Sequence, residues 1–209
     1  MEPDLSFETV ARLGGAQLVA GVDEVGRGPL AGPVVAAAVI LDVTCIPVGL
    51  NDSKKLPVKE RERLFDLICA VAHIGIGQAS VAEIDEMNIL RASHLAMCRA
   101  IAALAVSPDH ALIDGNLLPR DLTMPATAII KGDGRSLSIA AASIIAKVTR
   151  DKMMVDLAQQ FPHYGWERNS GYPTPIHLER LKSHGVTPHH RRSFAPVHNI
   201  LYQAEILSS

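Results

Sequence analysis

Two adjacent carboxylates stand at the end of an early apolar run in the sequence. Residues 18–22 are apolar throughout and are followed directly by Asp23 and Glu24. An apolar run without polar alternation is typical of a central strand that is covered on both faces. Because a buried strand carries a charge only where the charge has a partner or a use, this pair is the first candidate for chemistry.

Two further apolar runs lead to acids. Residues 111–113 stop at Asp114, and residues 126–130 stop just before Lys131, Gly132 and Asp133. Sites in open sheets with helices on both faces gather at strand ends, so we expect the three ends to converge. Four carboxylates in one small volume disfavour one another's ionisation unless a cation lies between them.

Oxygen ligands without paired cysteines or histidines favour Mg²⁺ or Mn²⁺. Two such ions, about 3.5–4 Å apart, can stabilise the attacking and leaving oxygens of a phosphoryl transfer. Successive residues on a regular strand face opposite sides. Asp23 and Glu24 can therefore share one site only if the chain kinks after Asp23, which Gly26 and Gly28 would permit.

A glycine-rich turn follows the acid pair. It contains Gly26, Arg27 and Gly28, and a second apolar run occupies residues 34–41. A dinucleotide-binding turn would need a third glycine and a helix directly afterwards. A hairpin fits better here, although a purely structural turn remains an alternative to a carboxylate metal site. Glycine also lets the main chain approach a ligand closely.

Composition limits the possible classes of protein. The 209 residues are 48% hydrophobic, enough for one core, and we predict a single domain over residues 1–209. A net charge of −2 gives no overall basic field, so nucleic-acid binding would need local basic patches. We interpret the three cysteines, Cys45, Cys69 and Cys98, as reduced core residues. Without a signal-peptide or bilayer-spanning pattern, we expect a cytoplasmic monomer that has no membrane contact.

Helical periodicity predicts the scaffold around these ends. Pro57 suits the first turn of a helix, and residues 73–81 alternate as a strand does. Ser80 and Glu83 form a capping box that opens one long helix over residues 82–105. Residues 137–160 predict another helix, with a small-residue start, an apolar stripe that includes Val155, and basic residues elsewhere on its surface: Lys147, Arg150 and Lys152.

The last third of the chain, residues 161–209, changes character. It has loops rich in aromatic residues and a short helix over residues 175–183. A basic and partly pH-dependent patch is predicted from His184, His189, His190, Arg191 and Arg192. Metal binding by these histidines is the alternative to solvated or phosphate-facing charge, but no second cluster of soft ligands supports it.

Several long segments together resemble the bacterial ribonuclease HII family, the type 2 ribonucleases H. The resemblance covers residues 17–197 and is carried by GVDEVGRGPLAGPVV, GLNDSKKL, EIDEMNIL, LIDGN, IIKGD, AAASIIAKVTRD, GYPT and HHRRSF. It implies an α/β ribonuclease H-like fold, with a mixed five-stranded sheet flanked by helices and a small C-terminal helical region. One small departure is Pro57, which replaces the usual helix-capping residue.

The resemblance also implies roles for individual residues. Asp23, Glu24, Asp114 and Asp133 match the family's metal-binding and catalytic carboxylates. Gly26, Arg27 and Gly28 match the element that reads a ribonucleotide's 2′-hydroxyl. Tyr172 matches a tyrosine that packs on the next, deoxy, sugar.

From charge alone, we also expect phosphate contacts that position a duplex without reading its sequence. The candidates are Arg27, Lys54, Lys55, Lys147, Arg191 and Arg192.

The implied partners are an RNA–DNA hybrid and a DNA duplex with embedded ribonucleotides. The implied reaction is two-metal cleavage of the RNA strand, or 5′ to a single embedded ribonucleotide, which leaves a 3′-hydroxyl and a 5′-phosphate. Two rival classes remain at this point. Another ribonuclease H-like nuclease, such as a resolvase or a hybrid-only enzyme, would keep the acids but lack the glycine turn with Tyr172. A non-catalytic nucleic-acid-binding module would need no acid cluster.

Overall fold

A computed structural model describes residues 2–208, with side chains for residues 2–202. Its centre is a five-stranded sheet in the order β3-β2-β1-β4-β5. The strands are β1 Val19–Val25, β2 Val34–Ile40, β3 His73–Ala79, β4 His110–Asp114 and β5 Ala126–Ile129. The first three pair antiparallel, whereas β1, β4 and β5 are parallel. The predicted hairpin and mixed sheet are confirmed.

Eight helices accompany the sheet in the described chain. They are α1 Ser6–Leu13, α2 Val58–Val71, α3 Val81–Met87, α4 Ile89–Ala102, α5 Leu137–Gln160, α6 Trp166–Asn169, α7 Pro175–His184 and α8 Ala195–Ser208. One core cluster joins α3 and α4 to one face of the sheet, and another joins α2 and α5 to the opposite face. A third cluster lies within the C-terminal helical region and reaches the β1–β2 turn through Leu30 and Ala31.

Helix α5 lies against β1 because both present small residues at the contact. Ala140, Ala141 and Ala142 are fully buried beneath the sheet. Gly21 of β1 has no room for a side chain, since an added Cβ would overlap the backbone at Ser138 and Ile139. This close contact sets the position of the strand end that carries Asp23.

The prediction of one continuous helix over residues 82–105 is wrong. The capping box of Ser80 and Glu83 is confirmed, but α3 ends at Met87 and α4 begins at Ile89. Asn88 has a left-handed φ of 74°, which interrupts the helical path. Its side chain accepts hydrogen bonds from the N–H groups of Leu90 and Arg91, so the break also caps α4.

Predictions of burial are also wrong for the cysteines and for two residues of α5. Cys45 lies in the loop between β2 and α2, and Cys69 follows the buried Ile68 on α2, so both are exposed, while Cys98 is half-buried. Val155 is 41% exposed, whereas Arg150 on the same helix is buried. Within residues 2–208, no helix combines the length and the apolar character that a bilayer crossing needs.

Gly21→Ala should destabilise the protein by about 3 kcal/mol or more, because overpacking a backbone contact forces β1 away from α5. The measurement is the free energy of unfolding in denaturant. Gly134→Ala is the matched control, since its Cβ would meet only the flexible end of Lys55, at 3.5 Å. Equal stability of the two variants would contradict the tight contact.

Candidate active site

Three carboxylates meet at one edge of the sheet. Asp23 lies near the end of β1, Asp114 is the last residue of β4, and Asp133 lies in a short 3₁₀ turn after β5. One carboxylate oxygen from each lies within 4.8 Å of the others. The strands are parallel neighbours with Val22 opposite Ile113, so their next residues come side by side. The predicted convergence of the three strand ends is confirmed.

The backbone after β5 holds Asp114 in place. The N–H of Gly132 donates to Asp114 Oδ1 at 2.6 Å, and that of Asp133 donates to the same oxygen at 3.4 Å. Lys131 adopts a left-handed φ of 55°, which turns these N–H groups back toward β4. The turn therefore both presents Asp133 and neutralises part of the charge on Asp114.

Asp23 is held by a backbone N–H and lies near hydroxyl groups that the sequence reasoning missed. The Glu24 N–H donates to Asp23 Oδ1 at 2.7 Å. The hydroxyl of Ser143 on α5 partly opposes the rise that burial causes in the pKa of Asp23, and its Oγ lies 2.8 Å from Oγ of Ser53. Both serines are buried. A signal for Ser143 was available, because it is a polar residue on the small-residue face of the predicted helix.

Glu24 lies beside the triad and not within it. Strand β1 continues regularly to Val25, so the chain does not kink after Asp23 and neighbouring side chains face opposite ways. The Glu24 carboxylate accepts from Arg27 Nη1 at 3.3 Å. Burial raises the pKa of Glu24, Arg27 opposes the rise, and Asp114 adds to it. Glu24 thus lies within the electrostatic field of the cluster.

Burial and like charge act together on the triad. Burial raises the pKa of Asp23 well above its ordinary value, and Glu24, Asp114 and Asp133 raise it further. Burial and then Asp114 also raise the pKa of Asp133. Lys54 Nζ lies 3.9 Å from Asp133 Oδ2. Burial alone would lower the pKa of Lys54, but Asp23 and the neighbouring acids raise it.

A divalent cation fits this donor set. All the triad ligands are carboxylate oxygens, which suit hard cations, and one lysine offers too little charge to balance three acids. The residues that would hold the cation are Asp23, Asp114 and Asp133, with Glu24 adjacent.

The glycine turn lies between the acids and Tyr172. Gly26 has a left-handed φ of 98°, where the chain leaves β1. A Cβ on Gly28 would lie 3.4 Å from Cε1 of Tyr172, so the ring stands directly against this glycine. The Leu30 N–H donates to the Gly171 carbonyl at 2.7 Å, which joins the turn to the segment that carries Tyr172.

Comparison with known proteins agrees with this arrangement. The ribonuclease HII family profile matches residues 20–197. Ribonuclease HII from Paracoccus denitrificans is 66% identical over 203 residues, covering 97% of this chain and 97% of that protein. The Ruegeria pomeroyi ribonuclease HII is 65% identical over 202 residues, covering 97% and 86%. The crystal structure of ribonuclease H2 from Pyrococcus horikoshii has a TM-score of 0.78 at 30% identity, covering 90% of this chain and 99% of that one.

The chain belongs to the ribonuclease HII family. It is accordingly a metal-dependent endoribonuclease with a ribonuclease H-like fold. The resemblance seen in the sequence is confirmed over nearly the whole of the chain. The remaining predicted substrate contacts lie in quite different environments.

Arg191 does not face a bound duplex, so its prediction as a phosphate contact is wrong. The side chain is fully buried, and its guanidinium donates to the carbonyls of Gly26, Arg27 and Gly32. Arg192 is exposed, and its backbone N–H donates to Asp85 at 3.0 Å.

The three lysines predicted to contact phosphates are placed differently from one another. Lys54 reaches toward the triad, and exposed Lys55 lies 3.8 Å from Asp52. Lys147 is half-buried and pairs with Asp151 at 2.7 Å. Of the three lysines, Lys54 is thus the one that lies beside the acids. Arg27, in the glycine turn, is exposed.

The predicted histidine patch is wrong for His190, because that residue forms a buried hydrogen-bonded chain with His177, which lies outside the predicted patch. The Thr187 N–H donates to His190 Nδ1, so His190 carries its proton on Nε2 and donates to His177 Nε2 at 3.1 Å. His177 in turn donates from Nδ1 to the Tyr172 carbonyl at 2.9 Å. The two rings are neutral, and they fix the backbone of the residue that flanks the glycine turn.

Asp23→Asn should lower hydrolysis by a factor of about 100 or more, because a ligand and a preorganised charge are lost. In chelator the same variant should be more stable than wild type near pH 7. The pKa of Asp23 is raised by folding, so its ionisation destabilises the metal-free fold as pH rises above 3.8. Thermal unfolding with EDTA and a cleavage assay with Mg²⁺ measure both effects. Asp42→Asn, at an exposed loop acid, is the control; near-normal turnover of Asp23→Asn would remove Asp23 from the site.

His190 should make stability depend on pH. Burial, then His177 and His189, lower the pKa of His190 from 6.5 to about 3. As the pH falls, the unfolded chain therefore binds a proton at His190 before the folded chain does. The stability that neutral His190 contributes is lost as pH falls from 6.5 toward 3. The free energy of unfolding should fall more steeply over this range in wild type than in His190→Asn. Exposed His184→Asn should keep the wild-type slope, and identical slopes for all three proteins would contradict the assignment.

Proposed function

We propose that this ribonuclease HII cuts 5′ of a single ribonucleotide embedded in duplex DNA, in addition to the RNA strand of RNA–DNA hybrids, and leaves a 3′-hydroxyl and a 5′-phosphate. Activity on hybrids follows from family membership. The observation that supports the finer specificity is the contact between Gly28 and the Tyr172 ring, one turn away from the acids.

The glycine turn and Tyr172 offer recognition of two successive sugars. At glycine positions the main chain can approach the minor groove closely and contact a 2′-hydroxyl, the group that distinguishes RNA from DNA. Tyr172 is 42% exposed, so one part of its ring is free to pack on the following sugar. A 2′-hydroxyl there would crowd the ring, whereas a deoxyribose would not. Together they would recognise an RNA-to-DNA step.

The acid cluster supplies the reaction centre. Asp23, Asp114, Asp133 and Glu24 would hold two Mg²⁺ or Mn²⁺ ions, which stabilise the negative charge that develops on the attacking and leaving oxygens. Lys54 lies beside Asp133 and carries positive charge toward the same edge of the sheet. We infer that it contacts a phosphate next to the bond that breaks.

The exposed cations extend the contact along the duplex. Arg27, Lys55 and Arg192 are exposed, and Lys147 lies near the Tyr172 segment through Asp151 and Ser170. Contacts of this kind position a duplex and weaken with salt. The cytoplasmic location and monomeric state stay predictions from the sequence.

Tyr172→Ala should reduce cleavage at a lone ribonucleotide by about tenfold, and more than it reduces cleavage of a long hybrid, because only the junction needs the deoxy-sugar contact. End-labelled duplexes of both kinds, incubated with and without Mg²⁺, measure the two rates and the cut position. Tyr202→Ala is the control, since Tyr202 is an exposed tyrosine on α8.

Two outcomes would contradict this function. A wild-type enzyme that cuts hybrids but leaves the lone ribonucleotide intact would be a hybrid-only ribonuclease H. Equal losses on both substrates in Tyr172→Ala would make Tyr172 a general binding residue and would remove junction recognition from it.

A further inference from the structure

Two buried arginines converge on the glycine turn from separate parts of the chain. Arg150, on α5, is 1% exposed, and Arg191, in the segment between α7 and α8, is 0% exposed. Arg150 donates to the carbonyls of Pro33, Ser170 and Ala31 at 2.9–3.0 Å. Arg191 donates to those of Gly32, Arg27 and Gly26 at 2.6–3.0 Å. Every one of these acceptors is a backbone carbonyl of the turn or of the segment next to Tyr172.

Neither guanidinium forms an ion pair with a carboxylate in the part of the chain whose side chains are described. Burial lowers the pKa of Arg150 to about 10 and that of Arg191 to about 9, so both remain charged at neutral pH. A buried charge without a counter-ion is costly, and apolar residues would fill the same volume at less cost. We therefore attribute the presence of these arginines to the hydrogen bonds that they donate to the backbone carbonyls.

These hydrogen bonds decide which way the peptide groups of the turn point. In a trans peptide, the C=O of one residue and the N–H of the next point in opposite directions. Because the carbonyls of Gly26 and Arg27 point at Arg191, the N–H groups of Arg27 and Gly28 point away from it. Neither N–H has an acceptor among the described residues. Among the described residues, both donors are therefore unpaired and directed away from Arg191.

Arg150 also explains two of the glycines. A Cβ on Gly26 would overlap Nε of Arg150, and a Cβ on Gly32 would overlap Sδ of Met154 with Arg150 Nη2 at 3.4 Å. The turn thus has room for Met154 and the Arg150 guanidinium only without side chains at these positions. Arg150 binds both Ala31 and Ser170, so it ties the turn to the segment that carries Tyr172.

We propose that Arg150 and Arg191 are positioning residues for substrate recognition. Arg191 holds the carbonyls of Gly26 and Arg27 and so presents the N–H groups of Arg27 and Gly28 to the ribose, while Arg150 anchors the far end of the turn through Ala31 and Pro33. This inference rests on the proposed function of the glycine turn. It assigns the recognition geometry to two residues that do not touch the substrate. A lysine at either position keeps the charge but offers one ammonium group, which cannot span three carbonyls.

The test uses the full chain with Arg150→Lys and Arg191→Lys, and with Leu178→Ala as a control that loosens the same C-terminal cluster but leaves both guanidinium groups in place. Hydrogen exchange of the Leu30 and Gly32 amides reports the anchoring of the turn, because these N–H groups donate to Gly171 and His189. Both amides should exchange about tenfold faster in the lysine variants and not in the control. Mg²⁺ affinity, measured by calorimetry, should stay unchanged, since the triad is intact.

In the same variants, kcat/KM on a lone-ribonucleotide duplex should fall about tenfold or more, and Leu178→Ala should match wild type at equal folded fraction. Wild-type exchange at Leu30 and Gly32, or faster exchange with unchanged kcat/KM, would overturn the inference. If wild type itself does not cut the lone ribonucleotide, the proposed function fails. The inference is then decided by exchange together with kcat/KM on the long hybrid.

Discussion

The structure depends on one electrostatic constraint: three carboxylates are held within 4.8 Å of one another at the edge of a buried sheet. Burial and mutual repulsion raise the pKa of Asp23 and Asp133, so the arrangement opposes folding when no cation is bound. The chain must therefore hold the acids together by other means. Catalytic sites commonly contain such strain, because charges placed in advance need no reorganisation during the reaction.

The means are backbone contacts that leave little freedom. The Gly21 contact fixes β1 on α5, the N–H of Gly132 holds Asp114, and the N–H of Glu24 holds Asp23. Arg150 and Arg191 hold carbonyls of the glycine turn by hydrogen bonds, as the N–H of Gly132 holds the Asp114 carboxylate. The acid triad and the glycine turn are thus both held in place by hydrogen bonds to backbone peptide groups.

The sheet and the triad could be predicted because each depends on short-range pattern. Apolar runs that end in Asp23, Asp114 and before Asp133 indicate strands and their ends without reference to the rest of the chain. The burial of Arg191 could not be predicted, because it depends on which segment lies opposite the side chain, here the glycine turn. The burial of His190 could not be predicted for the same reason. The break at Asn88 had a local signal, because asparagine is a residue that commonly caps helices. The helical spacing of apolar residues continues on both sides of Asn88 and favoured one long helix instead.

The central claim, that the triad is a strained acid cluster completed by a divalent cation, is tested most directly by counting protons. Calorimetric titration with Mg²⁺ near pH 7, repeated in buffers of different ionisation enthalpy, gives the number of protons released on binding. Because burial and neighbouring acids raise the pKa of Asp23, binding of the cation should release a fraction of a proton from the cluster. Asp23→Asn should abolish that release. Mg²⁺ binding without proton release in wild type, or equal release in Asp23→Asn, would contradict the account.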